Sequence, residues 1–273
     1  MSNFSDFIGG GGSASFPTIF LHNSQTWVPP QDGNIMIHVI GAGGSGFGGN
    51  VQGVSSGAAG GYCRKNSLAV TTSHSYTVTI GAGGARVYNA TAGITGGDTS
   101  VSGTGLPAGS PLRAFGGGGG QNASSSTGGV ATGGDVINTG GVSDIYTGGG
   151  AVGILGTGNA GQSSIFGYAG GDCDVIGDLW SSSFGKISGS RGADGVYFNG
   201  NSQYRPANTP VDAGPFAGGG FSRMDRSTQY GPTLGGSATI GGGGGACDNS
   251  GGAGYGISGR GGNGIVIIQY LPA

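Results

Sequence analysis

Residues 34–49 have the sequence NIMIHVIGAGGSGFGG, which joins an apolar run directly to a glycine-rich run. The apolar run ends at Ile40 and is rich in β-branched residues, which is typical of a β-strand. Alternate side chains of a strand face opposite sides of its sheet, and both sets are largely apolar here. We therefore predict a central strand that is covered on both faces. We expect His38 within it to be a core histidine with a hydrogen-bond partner.

The junction between strand and glycine occurs twice in the chain. GAGG at residues 41–44 follows Val39-Ile40, and GAGG at residues 81–84 follows Thr79-Ile80. This is a weak internal repeat, and it indicates that more than one strand continues into a glycine-rich segment.

Glycine is unusually abundant, with 71 of the 273 residues, against an average usage of about 7 %. The chain has no glutamate and only two lysines, so the best polar helix formers are nearly missing, and an α-helical protein is excluded. Hydrophobic residues make up 35 % and the formal net charge is only −2, which does not fit a disordered chain. Collagen is excluded because the glycine period of three is not continuous.

Many glycines nevertheless keep a local period of three. The polyproline II helix has three residues per turn and no internal backbone hydrogen bonds. Several such helices can satisfy each other's backbone groups if glycine occupies the facing positions. We therefore predict a bundle of polyglycine II rods, in which breaks of the period mark turns. The periodic glycines include Gly43, Gly46 and Gly49, then Gly150, Gly153 and Gly156, and finally Gly256, Gly259 and Gly262.

The fold class predicted from these patterns is all-β with irregular structure. Strands are expected over about residues 16–40, 66–80 and 264–270, forming a small β-sandwich base for the polyglycine II bundle, with essentially no α-helix. Residues 1–15 are predicted to be a tether, since an apolar group formed by Phe4, Phe7 and Ile8 precedes a Gly/Ser hinge. Residues 16–273 then form one glycine-rich domain.

Composition also limits the partners. A net charge of −2 gives no basic surface for nucleic acid. No apolar run approaches the roughly 20 residues of a membrane-spanning helix, so membrane insertion is not expected. The N-terminus lacks the pattern of a secretory signal peptide, and synthesis in a cytoplasm is expected. Cys63, Cys173 and Cys247 are far apart, and the simplest interpretation is three small buried hydrophobic residues.

No motif supports catalysis, a cofactor or a metal ion. Residues 41–46 fit G-x-G-x-x-G, but no helix can follow them, and Arg64 and Lys65 stand where a dinucleotide site needs an acid. Asp172, Asp174 and Asp178 could provide oxygen ligands to calcium, but the closing glutamate of an EF-hand is absent, and a solvated turn is favoured. We therefore expect no enzymatic activity.

The ordered set of motifs resembles the glycine-rich domain of bacteriophage tail-fibre proteins, and is similar to the fibre-tip adhesins of T-even-like phages. The resemblance covers about residues 16–270, although the stretch 172–216 is long and glycine-poor for this family. It implies a virion component for host recognition, in which a polyglycine II bundle displays distal loops. Its marks are Trp27–Pro30, Gly41–Gly44, Ala59–Cys63, Ser75–Gly84, Gly96–Val101, Gly116–Gly120 and Gly261–Tyr270.

Candidate binding residues lie where the glycine array is interrupted, around residues 143–146, 172–216 and 221–230. Aromatic residues and arginine dominate binding hot spots, and a glycine lattice has almost no side chains with which to recognise anything. The alternative is a structural role, in which several of these aromatic residues pack on each other as a cover over the rods. The receptor-binding candidates are Tyr146, Trp180, Phe184, Tyr197, Phe198, Tyr204, Arg205, Arg223, Arg226 and Tyr230.

The function expected from the sequence is attachment of a phage tail fibre or tail tip to a bacterial surface glycan or outer-membrane protein. The peptide with Phe4, Phe7 and Ile8 would bind another tail or fibre protein of the virion. The alternative is a purely structural virion component, such as a baseplate plug or a decoration protein. An ice-binding protein and a bacterial surface adhesin are weaker alternatives. The sequence leaves open whether the chain forms a homotrimer or caps a fibre as a single chain.

Overall fold

The computed structural model of the chain shows an all-β protein without a helix among its described residues. The tether at residues 1–15 lies outside the described residues. The described residues are 17–49, 53–107, 109–145, 147–164, 167–169, 196–198, 216, 218–219, 222–224, 233–248 and 256–272.

Sheet A has five antiparallel strands in the order β1-β18-β3-β5-β10. Its central strand β3 (Gly33–Ile40) pairs with β18 (Ile265–Tyr270) on one side and with β5 (Tyr62–Val70) on the other. The edge strands are β1 (Thr18–Leu21) and β10 (Val136–Asn138). Apolar β-branched residues dominate β3 and β18, as expected for strands that are buried on both faces.

Sheet B also has five antiparallel strands, in the order β2-β6-β7-β8-β9. It packs face to face on sheet A, and the two sheets share one apolar core that includes Ile35, Ile37, Tyr76 and Leu112. The predicted β-sandwich is thereby confirmed. The strands are β2 (Gln25–Trp27), β6 (Tyr76–Thr79), β7 (Thr99–Gly103), β8 (Leu112–Ala114) and β9 (Ala131–Thr132).

A second apolar core covers the opposite face of sheet A. There Ile40, Tyr62 and Ile267 pack with Val152 and Phe216, which come from the glycine-rich part of the chain. The prediction that β3 is central and covered on both faces is therefore correct. His38 is also buried, at 2 % exposure, and contacts the Tyr62 hydroxyl, as predicted for a core histidine.

Two strand predictions were incomplete. β5 begins at Tyr62, four residues before the predicted start at Asn66. The earlier start was not predicted because glycine precedes the strand up to residue 61 and obscures its strand pattern. Sheet B also contains β7, β8 and β9, which the sequence did not predict. These strands are short, β7 consists mostly of Ser, Thr and Gly, and in β7 and β8 only alternate residues such as Val101 and Leu112 are apolar and buried.

The glycine-rich segments form rods whose backbone hydrogen bonds recur with a period of three. In rod 41–48, the amides of Gly41 and Gly44 donate to residues 61 and 58, those of Ala42 and Ser45 to residues 97 and 94, and those of Gly43 and Gly46 to residues 262 and 259. One rod thus donates in turn to three different neighbours. This is the pattern expected for polyglycine II, which has three residues per turn, and the predicted rod bundle is confirmed.

Two central rods, 41–48 and 53–61, lie inside a closed ring of eight others. Each central rod is hydrogen-bonded to six neighbours, three through its amides and three through its carbonyls, and each pair of adjacent ring rods also shares at least one backbone hydrogen bond. The lattice is therefore hexagonal in cross-section. The ring consists of residues 81–87, 91–97, 115–121, 126–130, 139–143, 147–153, 241–247 and 258–264.

Close approach of backbones explains why these rods need glycine. A Cβ atom added at Gly44 would lie against the carbonyl of Gly118, and one added at Gly57 against the carbonyl of Gly44, both well inside the 3.0 Å that real Cβ contacts essentially never go below. The core of the bundle is therefore backbone packed on backbone. Dense backbone hydrogen bonding therefore contributes to its stability alongside the few side chains that the rods bury.

The remaining strands are short and lie beside the ends of the rods. A four-stranded sheet has the order β13-β14-β16-β4, and its β16 (Cys247–Asp248) pairs with β4 (Gly48–Gly49). The other short strands are β11 (Gln162–Ser164), β12 (Gly167–Ala169), β13 (Val196–Phe198), β14 (Ser222–Met224), β15 (Thr233–Leu234) and β17 (Gly256–Ile257).

Candidate functional site: the distal tip of the rod bundle

The chain connections place one set of turns at the end of the bundle away from the sandwich. Rod 41–48 leaves sheet A after Ile40 and rod 53–61 returns to it at Tyr62, so the hydrogen bond from Phe47 N to Ser55 O (3.2 Å) lies at the far end. Eight residues at about 3.1 Å each put this end roughly 25 Å from the sheets. We call this end, with the turns 88–91 and 121–125 and the sheet formed by β4, β13, β14 and β16, the distal tip.

The two turns of the tip lie side by side. The Gly93 amide donates to the Gly120 carbonyl at 2.7 Å, which fixes the rods that follow the first turn and precede the second. Thr91 forms a β-bridge with Gly48, and Asn122 forms one with Val54. Both turns are therefore anchored on the ends of the two central rods.

Backbone conformation makes both turns tight. Asn89 and Ala90 have φ values of 58° and 56°, and Ala123 has φ of 53°, so all three adopt the left-handed conformation. Asparagine tolerates this conformation better than alanine does. The Thr91 hydroxyl donates to the Tyr88 carbonyl at 2.6 Å and closes the first turn.

The turns present uncharged polar groups and one aromatic ring to solvent. Tyr88 is 59 % exposed. The side-chain amides of Asn89 and Asn122 are exposed and make no hydrogen bond within the described part of the chain. No charged residue occurs in 88–91 or 121–125. These groups can donate and accept hydrogen bonds without the desolvation cost of a charge.

Buried serines support the tip from below. The Ser126 hydroxyl contacts the Ser143 hydroxyl at 2.7 Å and donates to the Ser56 carbonyl at 2.5 Å. The Ser56 hydroxyl donates to the Thr147 carbonyl at 2.6 Å and accepts from the Ala246 amide at 2.7 Å. Five rods are thus joined at one level of the bundle, which holds the nearby turns in place.

Three of the predicted receptor-binding residues lie in strands that reach the tip. Residues Tyr197 and Phe198 belong to β13, and Arg223 belongs to β14, where the sequence had predicted loops. Tyr197 stands opposite Arg223 in this parallel pair. Ser222 in turn pairs with Cys247, and Cys247 with Gly48, so the backbone of these strands continues the sheet at the end of the central rods.

The other predicted site residues lie outside the described residues, as does the aspartate group at residues 172–178. Tyr88, Asn89 and Asn122 were not predicted as site residues, because they lie in short interruptions of the glycine array. A signal was present, since Asn-Ala-Thr at 89–91 and Asn-Ala-Ser at 122–124 are a second internal repeat. The undescribed candidates are Phe4, Phe7, Ile8, Tyr146, Trp180, Phe184, Tyr204, Arg205, Arg226 and Tyr230.

The described residues also bear on three further expectations, which concern metal binding, membrane insertion and the cysteines. No group of three or more His, Cys, Asp or Glu side chains there is arranged to hold a metal ion. In the same part of the chain, no helix is long and apolar enough to cross a membrane. Cys63 and Cys247 are both buried, and burial raises the pKa of the Cys63 thiol to about 12. The predicted burial of these two cysteines is confirmed.

Ala90→Gly should stabilise the protein by about 0.5–1 kcal/mol, because glycine adopts the left-handed conformation without the steric cost of a Cβ atom. The measurement is the free energy of unfolding in urea. Ala85→Gly is the matched control, since Ala85 is also exposed but has no positive φ, and this change should be neutral or destabilising. Equal effects of the two substitutions would contradict the argument.

One family comparison identifies the chain. The glycine-rich domain family matches residues 18–271, which include both sheets and every rod described above. Among curated proteins, no sequence matches this chain significantly. Because the match covers most of the sequence, the chain belongs to the glycine-rich domain family.

Proposed function

We propose that the chain is a bacteriophage tail-fibre or tail-tip protein that attaches the virion to the host surface through its distal tip. The observation that carries the proposal is the placement of the two ends of the molecule. β1 runs antiparallel to β18 with Thr18 opposite Gln269 and Leu21 opposite Val266, so the chain enters β1 at the end of sheet A that faces away from the rods. The start of β1 and the distal tip are therefore on opposite sides of the sandwich.

This arrangement suits an adhesive tip. A partner that holds the N-terminal peptide, with Phe4, Phe7 and Ile8 as its apolar anchors, would leave the far end of the bundle free to meet a surface. The rods are rigid because each central one is hydrogen-bonded to six neighbours, so the turns are presented with little loss of conformational entropy on binding. Weak single sites would gain from several copies on one virion. The site of action is then the virion tail, after synthesis in the host cytoplasm.

The test is binding of the fluorescently labelled full chain to a panel of bacterial strains. We expect saturable binding to a subset of strains and a loss of at least about tenfold in affinity for Ser124→Arg, which puts a bulky charge on the second turn. Thr77→Arg, on the exposed outer face of sheet B, is the matched control and should bind as the unchanged chain does. Excess free chain should also block adsorption of the parent virion.

The alternative of a purely structural virion component predicts different results. In that case no strain would bind the chain, and Ser124→Arg would reduce assembly of virions while leaving adsorption of the assembled ones unchanged. A deletion of residues 1–15 distinguishes the role of the N-terminal peptide from that of the distal tip. On our proposal, the deletion abolishes incorporation of the chain into virions and leaves its binding to cells intact.

A further inference from the structure

We infer that the paired turns 88–91 and 121–125 bind a neutral carbohydrate, with the Tyr88 ring as the stacking surface and the Asn89 and Asn122 amides as hydrogen-bonding groups. The inference rests on the proposed function and names the ligand class of the same tip. It starts from the juxtaposition of the turns, which the hydrogen bond between Gly93 and Gly120 and the bridges to Gly48 and Val54 bring together.

The available side chains match the chemistry of a sugar. A sugar ring presents hydroxyl groups around its edge and C–H groups on its faces. The free amides of Asn89 and Asn122 each offer two donors and an acceptor to hydroxyls. The exposed Tyr88 ring offers an apolar face together with a polar edge. Tyrosine, serine and asparagine are also the residues that recur in adaptable polar binding surfaces.

The lack of charge in the two turns favours a neutral ligand. The nearest cation along the chain is Arg86, and its guanidinium already donates to the Ser237 hydroxyl at 3.1 Å. An anionic ligand would call for unengaged Arg or Lys side chains, and neither turn contains one. Asp144, on the next pair of rods, accepts from the Ile145 amide at 2.7 Å.

The rigidity of the turns supports binding of a flexible polar ligand. Asn89 and Ala90 are held in the left-handed conformation, and the Thr91 hydroxyl closes the turn around them. The ordering cost on the protein side is therefore small. Of the three residue types most enriched in hot spots of protein interfaces, the two turns contain one tyrosine, Tyr88, and neither tryptophan nor arginine, so a protein receptor is the less favoured partner for these two turns.

The experiment uses the full chain and the cells that it binds, with polysaccharide released from those cells by mild acid and separated into neutral and acidic fractions by anion exchange. We expect the neutral fraction to compete with binding to cells, and cells treated with proteinase K to retain binding. Tyr88→Ala should weaken binding by at least about tenfold, while Tyr88→Phe, which keeps the ring, stays within about threefold. Ile94→Ala, an exposed apolar position on the side of the bundle, is the control and should change nothing.

Other outcomes overturn the inference in distinguishable ways. Binding that is lost with proteinase K and unaffected by either fraction would indicate a protein receptor, so adhesion would stand and the carbohydrate inference would fall. Competition by the acidic fraction alone would also overturn it. If no strain binds the chain, the proposed function fails. Binding of the chain to immobilised dextran, mannan and galactan then tests the two turns directly. If none of the three polysaccharides shows binding that depends on Tyr88, the carbohydrate inference is overturned as well.

Discussion

Gly44→Ala and Gly57→Ala should each prevent the chain from folding to its native state. Both glycines are in the central rods, where a Cβ atom would meet the backbone carbonyl of a neighbouring rod. That carbonyl cannot move away, because it belongs to a rod that is itself hydrogen-bonded to further neighbours. Overpacking in ordinary cores costs about 1–3 kcal/mol because side chains can change rotamer, whereas here only backbone can yield. A loss of more than about 5 kcal/mol is expected, which approaches the whole stability of a typical domain.

Gly156→Ala is the matched control for these two substitutions. A Cβ atom at Gly156 would meet nothing within 4 Å, and the residue has no positive φ. Alanine there should be neutral or slightly stabilising, since it reduces the freedom of the unfolded chain. The measurements are the yield of soluble protein and the urea midpoint of whatever folds. A folded Gly44→Ala or Gly57→Ala protein that loses less than about 2 kcal/mol would show that the rods can separate, contrary to the lattice described here.

The same packing explains how much of the fold could be predicted. The apolar pattern of Ile35–Ile40 and of residues 264–270 correctly predicted the central strands of sheet A, because those strands are buried on both faces. The period of three correctly predicted rods, because glycine is required at the positions where a Cβ atom would meet the backbone of a neighbouring rod. β7–β9 were missed, since each is only two to five residues long and buries only alternate side chains.

The identity of the neighbouring rods could not be predicted from the sequence. Every rod offers the same backbone donors and acceptors, so no side-chain pattern distinguishes residue 97 from residue 262 as the partner of rod 41–48. The tip was missed for a related reason. Tyr88 and Asn89 interrupt the glycine array only briefly, and their exposure depends on a turn geometry that becomes visible only when the rods are assembled.

Acidification from pH 7 towards pH 4 should destabilise the protein through His38. The imidazole lies in sheet A between Tyr62 and Gln269, with Nδ1 2.8 Å from the Tyr62 hydroxyl and Nε2 3.2 Å from the Gln269 Oε1 atom. This geometry fits a neutral ring that accepts from Tyr62 and donates to Gln269, because burial raises the pKa of the Tyr62 hydroxyl to about 12 and keeps it protonated.

Burial lowers the pKa of His38 to about 4; the hydrogen bond to Gln269 opposes this shift, and the positive charge of Arg64 adds to it. The ordinary value in an unfolded chain is about 6.5. Between these two values the unfolded chain binds a proton that the folded chain does not, so stability must fall as the pH falls through this window. The full difference corresponds to a loss of about 3 kcal/mol, which is complete only below the folded pKa.

The measurement is the free energy of unfolding in urea at several pH values between 7 and 4.5, for the unchanged chain, His38→Gln and His22→Gln. Glutamine at position 38 can still donate and accept a hydrogen bond but has no proton to gain, so its stability should fall with acidification by about 2 kcal/mol less than that of the unchanged chain. His22 is exposed, and His22→Gln should keep the full dependence on pH. Parallel curves for the unchanged chain and His38→Gln would contradict the prediction, because they would mean that His38 has the same pKa in the folded and unfolded chain. A steeper curve for the unchanged chain would show that the folded state requires a neutral imidazole between Tyr62 and Gln269.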